Sequence, residues 1–222
     1  MDRTNAVDRL ETILDDIESD PLPVPVREVW VFGELPLGLD PISRLDVYLR
    51  KDMLFASEMS DPSREAEFEE AYGIAGIGTT INPDWAEAYP DRIETSANGY
   101  AAPERCLATH LSNSNEPIHF EICNASFEQN VTQRLKGAKI RNAWEEVLDP
   151  RAVCLWKDSE RSRTATDRLQ TGEYVFPPLA AALEMLGLDE ADAETAADAI
   201  AAFRESTNGV SIRSDVLSET RS

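Results

Sequence analysis

The chain has very little lysine, with four lysines against seventeen arginines among its 222 residues. Acidic residues number 42, twice the count of Lys and Arg together, so the formal net charge is −21. Charge of this density repels itself in dilute salt, whereas at molar salt the Debye length falls to about 3 Å. The scarcity of lysine and the spread of acidic residues along the whole chain therefore predict a halophilic protein. The alternative is an acidic surface that meets a basic partner.

Long hydrophobic runs are also missing, and cysteine is scarce. No apolar run approaches 18 residues, and no basic-then-apolar segment opens the chain, so neither a membrane span nor an export signal is predicted. The three cysteines are an odd number and are widely spaced, which does not suit a disulfide framework. We expect a cytoplasmic protein with reduced thiols and no membrane partner.

Histidine is rarer still, and the two histidines limit the chemistry available. Cys106 and His110 are four apart on a predicted helix, and His119 and Cys123 are four apart on a predicted strand. Residues at that spacing on a strand lie about 13 Å apart, so His119 and Cys123 cannot share one ion. No metal site, catalytic triad or cofactor is predicted, and Cys106 and Cys123 are interpreted as core residues.

What the sequence does contain is a clear alternation of apolar patterns, which predicts an α+β fold. The expected architecture is a small mixed sheet of about four strands flanked by helices, with a C-terminal helical region. Predicted strands are 27–32, 44–51, 118–123 and 152–156. Predicted helices are 2–19, 61–72, a short one from residue 82 to 89, 103–112, 126–136 continuing as 138–148, 162–170, 178–186 and 189–206.

Domain boundaries follow from this pattern. Residues 1–158 are predicted to form the α+β core, and residues 159–208 a helical region packed on that core. Asn208-Gly209 reads as a stop signal, and residues 209–222 are predicted to be a flexible tail. The Ala-rich apolar stripe of helix 189–206 is expected to dock either on the core or on another subunit.

A glycine and two acidic residues form the most suggestive pattern. Gly33 ends the first strand, Asp46 lies on the second and Glu121 on the third. A glycine at a strand end lets backbone N–H groups approach a phosphate, and carboxylates on adjacent strands can hold the metals of nucleotidyl transfer.

This arrangement resembles the nucleotidyltransferase-fold superfamily. That superfamily has a hydrophobic residue before Gly-Ser or Gly-Gly, then an acid-x-acid strand, then a later strand with a single acid. The matching segments are Phe32-Gly33, residues 44–47 and residues 120–122. The resemblance implies a nucleotidyltransferase-like core with Mg²⁺ as a possible cofactor, needed only if a nucleotide binds.

Two departures weaken the transferase interpretation. Glu34 stands where a serine or glycine is expected, and Arg44 stands at the first acidic position. Arg44 is expected to pair with a carboxylate on its own strand face. The pattern then indicates an inactive relative that keeps a phosphate- or nucleotide-binding cleft. The alternative is an ordinary hairpin with Asp46 on a solvated face.

A second resemblance covers most of the chain. Residues 21–51 and the segment HFEICNASFEQNVTQRLKGA are similar to an uncharacterised family of haloarchaeal proteins. The resemblance implies an archaeal, salt-adapted protein and carries no activity with it.

Basic residues are concentrated in one window, 134–168, which contains nine of them against six acids. Because the rest of the chain is strongly acidic, this window suggests an anion site in which Lys136, Lys139 and Arg141 contact phosphate. The alternative is internal ion pairing such as Arg141 with Glu145. Few aromatic residues are interleaved, so nucleic acid is possible but not favoured.

Together these patterns predict a cytoplasmic, non-catalytic nucleotide- or phosphate-binding or regulatory protein. Its candidate site consists of Gly33, Arg44, Asp46, Glu121, Lys136, Lys139 and Arg141. Its partner is expected to be a small anionic ligand or another protein. Two alternatives stay open: an adaptor that binds a protein through its C-terminal helices, and an active Mg-dependent nucleotidyltransferase.

Overall fold

A computed structural model describes residues 1–19, 22–52, 80–83, 85–113, 115–207 and 209–214. Six α-helices and six β-strands occur in these ranges, which confirms the predicted α+β class. The helices are α1 (Arg3–Ser19), α2 (Pro103–Leu111), α3 (Phe127–Arg141), α4 (Arg163–Thr171), α5 (Leu179–Met185) and α6 (Glu190–Ser206). The strands are β1 (Val26–Phe32), β2 (Leu45–Lys51), β3 (Ile118–Cys123), β4 (Ala152–Lys157), β5 (Glu160–Arg161) and β6 (Val210–Ser214).

The strands form one open mixed sheet with the order β5-β4-β1-β2-β3-β6. β1 pairs antiparallel with β2 and with β4, whereas β3 is parallel to β2 and to β6. The register places Phe32 opposite Asp46, Asp46 opposite His119, and His119 opposite Ser211. Because paired residues lie on the same face of a sheet, these four side chains form a row across four strands.

One face of the sheet is aliphatic. Along each strand, its residues alternate with residues of the face that carries the Phe32–Asp46–His119–Ser211 row. Examples are Val29 and Val31 of β1, and Phe120 and Ile122 of β3. Helices α1, α2 and α4 cover this face, and α1 contributes an apolar stripe to it that includes Leu10, Ile13 and Leu14. Each such side chain, when fully buried, contributes about 1.5–3 kcal/mol to folding, so this face is the main core.

The opposite face is mixed in character and positions the candidate site. Phe32, Tyr48 and Cys123 pack there against Phe127 and Val131 of α3. Ser126 caps α3 by accepting a hydrogen bond from the Gln129 N–H at 3.4 Å, as the capping box predicts. Charged groups on this face are buried beside the aromatic ones, which sets it apart from the aliphatic face.

Helices α5 and α6 pack over the end of this mixed face. Ala193 and Ala196 of α6 are buried with Leu183 of α5, Leu135 of α3 and Trp144. Trp144 belongs to a short 3-10 helix, Trp144–Glu146, that follows α3. The Ala-rich stripe therefore contacts the rest of the chain, and the last turn of α6 lies near the Gly33 turn.

Two expectations about the sheet are wrong. The described residues contain six strands, where about four were predicted, because β5 and β6 lie outside the sequence pattern. Residues 209–222 were predicted to be a flexible tail, yet Val210–Ser214 form β6, since their backbone groups pair with β3. The predicted helix 61–72 lies outside the described residues.

No helix in the described part of the chain combines the length and the apolar character needed to cross a bilayer.

Candidate functional site

The turn after β1 needs a glycine because two side chains occupy the space beside it. Gly33 has a left-handed backbone with φ = +76°, a conformation that favours glycine. A Cβ atom there would lie 2.6 Å from Arg204 Nη1 and would also overlap the Asp46 carboxylate. The backbone thus approaches an ion pair supplied by β2 and by the end of α6.

Asp46 is the buried carboxylate of that pair, with 1% of its surface exposed. Arg44 places Nε 2.7 Å and Nη2 2.6 Å from Asp46 Oδ1, as predicted for neighbours on one strand face. Arg204 Nη2 lies 2.7 Å from the other oxygen, Oδ2. Burial raises the pKa of Asp46 above its usual value, and the guanidinium groups of Arg204 and Arg44 oppose that shift.

Glu121 of β3 is the second buried carboxylate, with no exposed surface. Arg134 Nη1 lies 2.9 Å from its Oε2, and Arg213 Nε donates to Oε1. His119 Nε2 lies 3.0 Å from Oε1 and must carry the proton there, since a carboxylate only accepts. Although burial opposes it, Arg213 and Arg134, with His119, hold the pKa of Glu121 well below its usual range.

The end of α6 closes one side of the site. Arg204 lies 3.6 Å from Glu34 Oε2 in addition to its contact with Asp46. Thr207 accepts a hydrogen bond from Arg44. The Phe203 ring lies edge-on to His119, with centroids 5.9 Å apart, and under the Arg213 guanidinium at 4.5 Å. Residues 160 positions apart in sequence are held together here.

These side chains surround a cavity of about 160 Å³. Its ionic wall belongs mainly to the sheet and to the end of α6, and includes Arg44, Asp46, His119, Glu121, Arg204 and Arg213, with the Asp149–Arg151 pair at the margin. Its apolar wall is made of Phe32, Val147, Leu179, Ile200, Ala201 and Phe203. The cavity lining therefore combines charged and apolar side chains, which interleave where Phe32 lies beside Asp46 and where Phe203 packs against His119 and Arg213.

Positive charge is in excess at the ionic wall. Among the lining residues there are four guanidinium groups, those of Arg44, Arg151, Arg204 and Arg213, and three carboxylates, those of Asp46, Glu121 and Asp149. The neighbouring Arg151 and Asp149 balance each other at 2.8 Å. In a chain whose net charge is −21, this excess reverses the sign of the local charge and favours an anion.

Donors also remain available on two of these arginines. Among the described residues, Arg204 donates a hydrogen bond only through Nη2, to the Arg44 carbonyl at 3.5 Å, so its Nη1 has no acceptor. Its Nε has no partner either, but that atom is fully buried and out of reach of a ligand. Arg213 donates through Nε to Glu121 and through Nη1 to the Glu145 carbonyl at 2.7 Å. Its Nη2 has no acceptor in the part of the chain that the structure describes.

Sequence comparison places the whole chain in one family. The profile of a family of unknown function, DUF7095, matches residues 2–217. The chain belongs to DUF7095. No curated protein and no solved structure gives a significant match.

In this DUF7095 chain, four of the seven predicted site residues lie together. Gly33, Arg44, Asp46 and Glu121 all line the cavity, because β2 and β3 are neighbours and the acids share one sheet face. Strand alternation, together with the resemblance to the nucleotidyltransferase fold, was sufficient to find them.

The remaining three predicted residues lie elsewhere. Lys139 is on the surface, 3.2 Å from Asp192 and 3.6 Å from Asp189. Arg141 pairs with Glu146, and Lys136 is exposed on α3. None of these described residues lines the cavity, so the predicted basic cluster and the Gly33 turn do not form one site.

Several cavity residues of this DUF7095 chain were missed or assigned no role. Arg204 and Arg213 lie in the predicted helical region and the predicted tail, and no local signal connects them with Asp46 or Glu121. Arg134 was counted only as part of the basic window. His119 was noted as a strand residue, and its i, i+2 spacing from Glu121 is the signal that could have assigned it to the site.

None of the three cysteines lines the cavity, although Cys123 Sγ accepts a hydrogen bond at 3.3 Å from Arg134, the partner of Glu121. Cys106 and Cys123 are buried free cysteines, as interpreted from the sequence. Burial and the Glu104 charge raise the pKa of Cys106 to about 12, which keeps it a thiol. Within the described ranges no group of three or more His, Cys, Asp or Glu side chains is arranged to hold a metal ion.

Proposed function

We propose that this chain binds a small anion, with phosphate-type groups as the reference ligands, and does not turn it over. The observation that carries the proposal is the excess guanidinium group at a partly open cavity with unused donors on Arg204 and Arg213. Arginine suits this role because its planar fork matches the paired oxygens of phosphates and carboxylates.

The state of the two carboxylates supports binding over catalysis. A transferase would need Asp46 and Glu121 to draw Mg²⁺ with net negative charge. Each carboxylate instead lies against two guanidinium groups at hydrogen-bonding or ion-pair distance. Their charge is already compensated, so a divalent cation gains little by approaching them.

Burial of the α6 stripe disfavours the adaptor alternative. Ala193 and Ala196, in the N-terminal half of the stripe, are fully buried against α3, α5 and Trp144. A partner protein could contact that face only after α6 had left the core. The proposal also includes a halophilic, cytoplasmic setting, which the acidic composition supports. It includes kinship with nucleotidyltransferases, which the Gly33–Asp46–Glu121 arrangement supports.

A thermal-shift screen of the full chain in molar KCl tests the proposal. The ligands are inorganic phosphate, pyrophosphate, AMP and short carboxylates, and ATP is added with and without MgCl₂. A ligand at a hundredfold excess over its Kd adds about 2.7 kcal/mol, which raises the melting temperature by roughly 5–10 °C. If none of the tested anions raises the melting temperature, anion binding is contradicted. Mg-dependent ATP turnover that Asp46→Asn abolishes would contradict the non-catalytic assignment.

Two charge variants locate the site. Arg213→Gln removes a donor from the cavity, whereas Lys139→Gln removes an exposed charge that pairs with Asp192 on the surface. We expect the anion-dependent shift to persist in Lys139→Gln and to be lost in Arg213→Gln. The opposite result would place the site at the basic window. In that case the anion-dependent shift is retained in Arg213→Gln and is lost when the charges of Lys136, Lys139 and Arg141 are reversed.

A further inference from the structure

Resting on the proposed anion site, we infer that its ligand is a short apolar monocarboxylate, a carboxylate joined to a small hydrocarbon group. The inference depends on the size of the cavity, its two kinds of lining side chain and its charge balance. Together these separate a monocarboxylate from inorganic phosphate and from a nucleotide.

Size sets the first limit. The cavity measures about 160 Å³, close to the roughly 150 Å³ of an engineered cavity that holds one benzene molecule. Pockets that enclose drug-sized ligands are larger, about 300–1,000 Å³. A ligand enclosed here therefore resembles benzene in bulk, and a complete nucleotide would have to leave most of itself outside.

The two walls set the second limit. The side chains of Phe32, Val147, Leu179, Ile200 and Phe203 offer no hydrogen bonds to a ligand. Oxygen atoms of a phosphate turned toward that wall would lose hydration without replacement. A carboxylate with a hydrocarbon tail instead suits both kinds of lining side chain, because its oxygens can accept from the guanidinium groups while its tail contacts the apolar side chains.

Charge and donor geometry set the third limit. The ionic wall has an excess of one guanidinium group over its carboxylates, which matches a monoanion at neutral pH. Nη1 of Arg204 and Nη2 of Arg213 have no acceptor among the described residues and, unlike the Nε atom of Arg204, are not sealed off by burial. Guanidinium N–H groups pair well with the two oxygens of a carboxylate, so these arginines are the expected contacts of the head group.

Calorimetric titration of the full chain tests this inference with a set of matched ligands. The titrants are 3-methylbutanoate, benzoate, the neutral isostere 3-methylbutanamide, inorganic phosphate and AMP, at one constant KCl concentration so that chloride competes equally. We expect saturable binding of at least one carboxylate, and binding of the amide weaker by at least about tenfold, since it lacks the charge.

Two adjacent alanines on α6 provide matched variants. Ala201 lines the cavity, whereas its exposed neighbour Ala202 does not. Ala201→Phe fills part of the space for the tail and should weaken carboxylate binding by about tenfold or more. Ala202→Phe adds the same group outside and should leave the affinity within about twofold of the parent value.

The outcomes separate this inference from the proposed function. Binding of phosphate or AMP without binding of either carboxylate overturns the monocarboxylate assignment and leaves the anion site standing. Equal binding of acid and amide overturns the anion site itself. Absence of binding by every titrant overturns both. Equal effects of Ala201→Phe and Ala202→Phe place the bound carboxylate outside the cavity.

Discussion

At the residue scale, position 33 has room for a hydrogen atom and little else. The Asp46–Arg204 ion pair occupies the volume that a side chain would need. The sequence suggested a different reason for this glycine, namely close approach of a phosphate to the backbone. The structure assigns the space to the chain's own charges, and any bound anion lies beyond them.

Gly33→Ala should therefore destabilise the fold more than strain alone requires. Gly38 is a matched control, because its φ is +85° and its added Cβ would meet nothing within 4 Å. The control isolates the backbone cost of a left-handed alanine, roughly 1–2 kcal/mol. We expect Gly33→Ala to lower the free energy of unfolding in urea by more than Gly38→Ala. Equal losses would contradict the close contact.

Glu121 is the residue whose ionisation matters most for stability. Its folded pKa is lowered, mainly by Arg213 and Arg134 against the opposing effect of burial. The ionised form therefore stabilises the fold above the unfolded pKa of about 4.3, and this contribution is lost as the pH falls through the folded value. Around neutral pH it is fully present.

Glu121→Gln should accordingly cost about 3–5 kcal/mol near pH 7, because it leaves buried guanidinium groups without their partner. The gap between variant and parent should narrow as the pH falls below about 4. Urea titrations across pH at constant KCl measure this difference in the free energy of unfolding. The control is Glu184→Gln at an exposed position, which should stay within about 0.5 kcal/mol of the parent. A gap independent of pH would show that packing, not charge, is lost.

At the scale of elements, α6 connects the helical region with the sheet. Its N-terminal half is buried through Ala193 and Ala196, and its last turn brings Phe203 and Arg204 to the cavity. Small residues allow this close approach, since a larger side chain has no free volume in the cluster around Trp144. The packing of α6 on the core therefore also completes the ionic wall.

Ala193→Leu tests that packing. Overpacking a filled core costs about 1–3 kcal/mol, whereas Ala202→Leu on the exposed side should stay within about 0.5 kcal/mol. Denaturant unfolding gives both values. If both substitutions prove neutral, α6 is not held on the core as the structure describes.

The elements also show what sequence can and cannot supply. The apolar patterns located β1, β2 and β3 to within a residue, and the predicted start of α3 was also one residue from the observed start. A break predicted at Gly137 is absent, because one glycine costs a helix only about 1 kcal/mol and α3 continues to Arg141. β6 was missed because this short strand forms by pairing with β3. Its own five residues do not encode that pairing.

The same reasoning applies to the candidate site. The period of each strand places Asp46 or Glu121 on a sheet face, and the resemblance to the nucleotidyltransferase fold implied that the two strands are neighbours. The positions of Arg204 and Arg213 could not be predicted, since their contacts depend on where α6 and β6 pack against residues distant in sequence. Two of the six residues named for the ionic wall therefore depend on tertiary packing.

At the scale of the whole molecule, the net charge of −21 opposes folding. Acids on the surface repel one another over about 10 Å at 0.1 M salt and over only about 3 Å at 1 M. The buried network around Asp46 and Glu121 is shielded from solvent and responds less to salt.

Stability should therefore rise steeply with KCl over this range. Melting temperatures measured between 0.1 and 1 M KCl, roughly the span in which the Debye length falls threefold, give the test. Glycerol is a non-ionic control for solvent effects. A melting temperature that is flat or falls with KCl would contradict charge repulsion as the main surface term and, with it, the halophilic assignment.

The account centres on Arg204 and Arg213 as the groups that receive an anion. Labelling the full chain with [¹⁵N]arginine and following the guanidinium Nε–Hε signals during an anion titration observes them directly. We predict saturable shifts for these two arginines, with no comparable change for Arg27, whose surface pair with Asp52 lies outside the cavity. Shifts that never saturate, or that are equal for all arginines, would contradict an anion site behind Gly33.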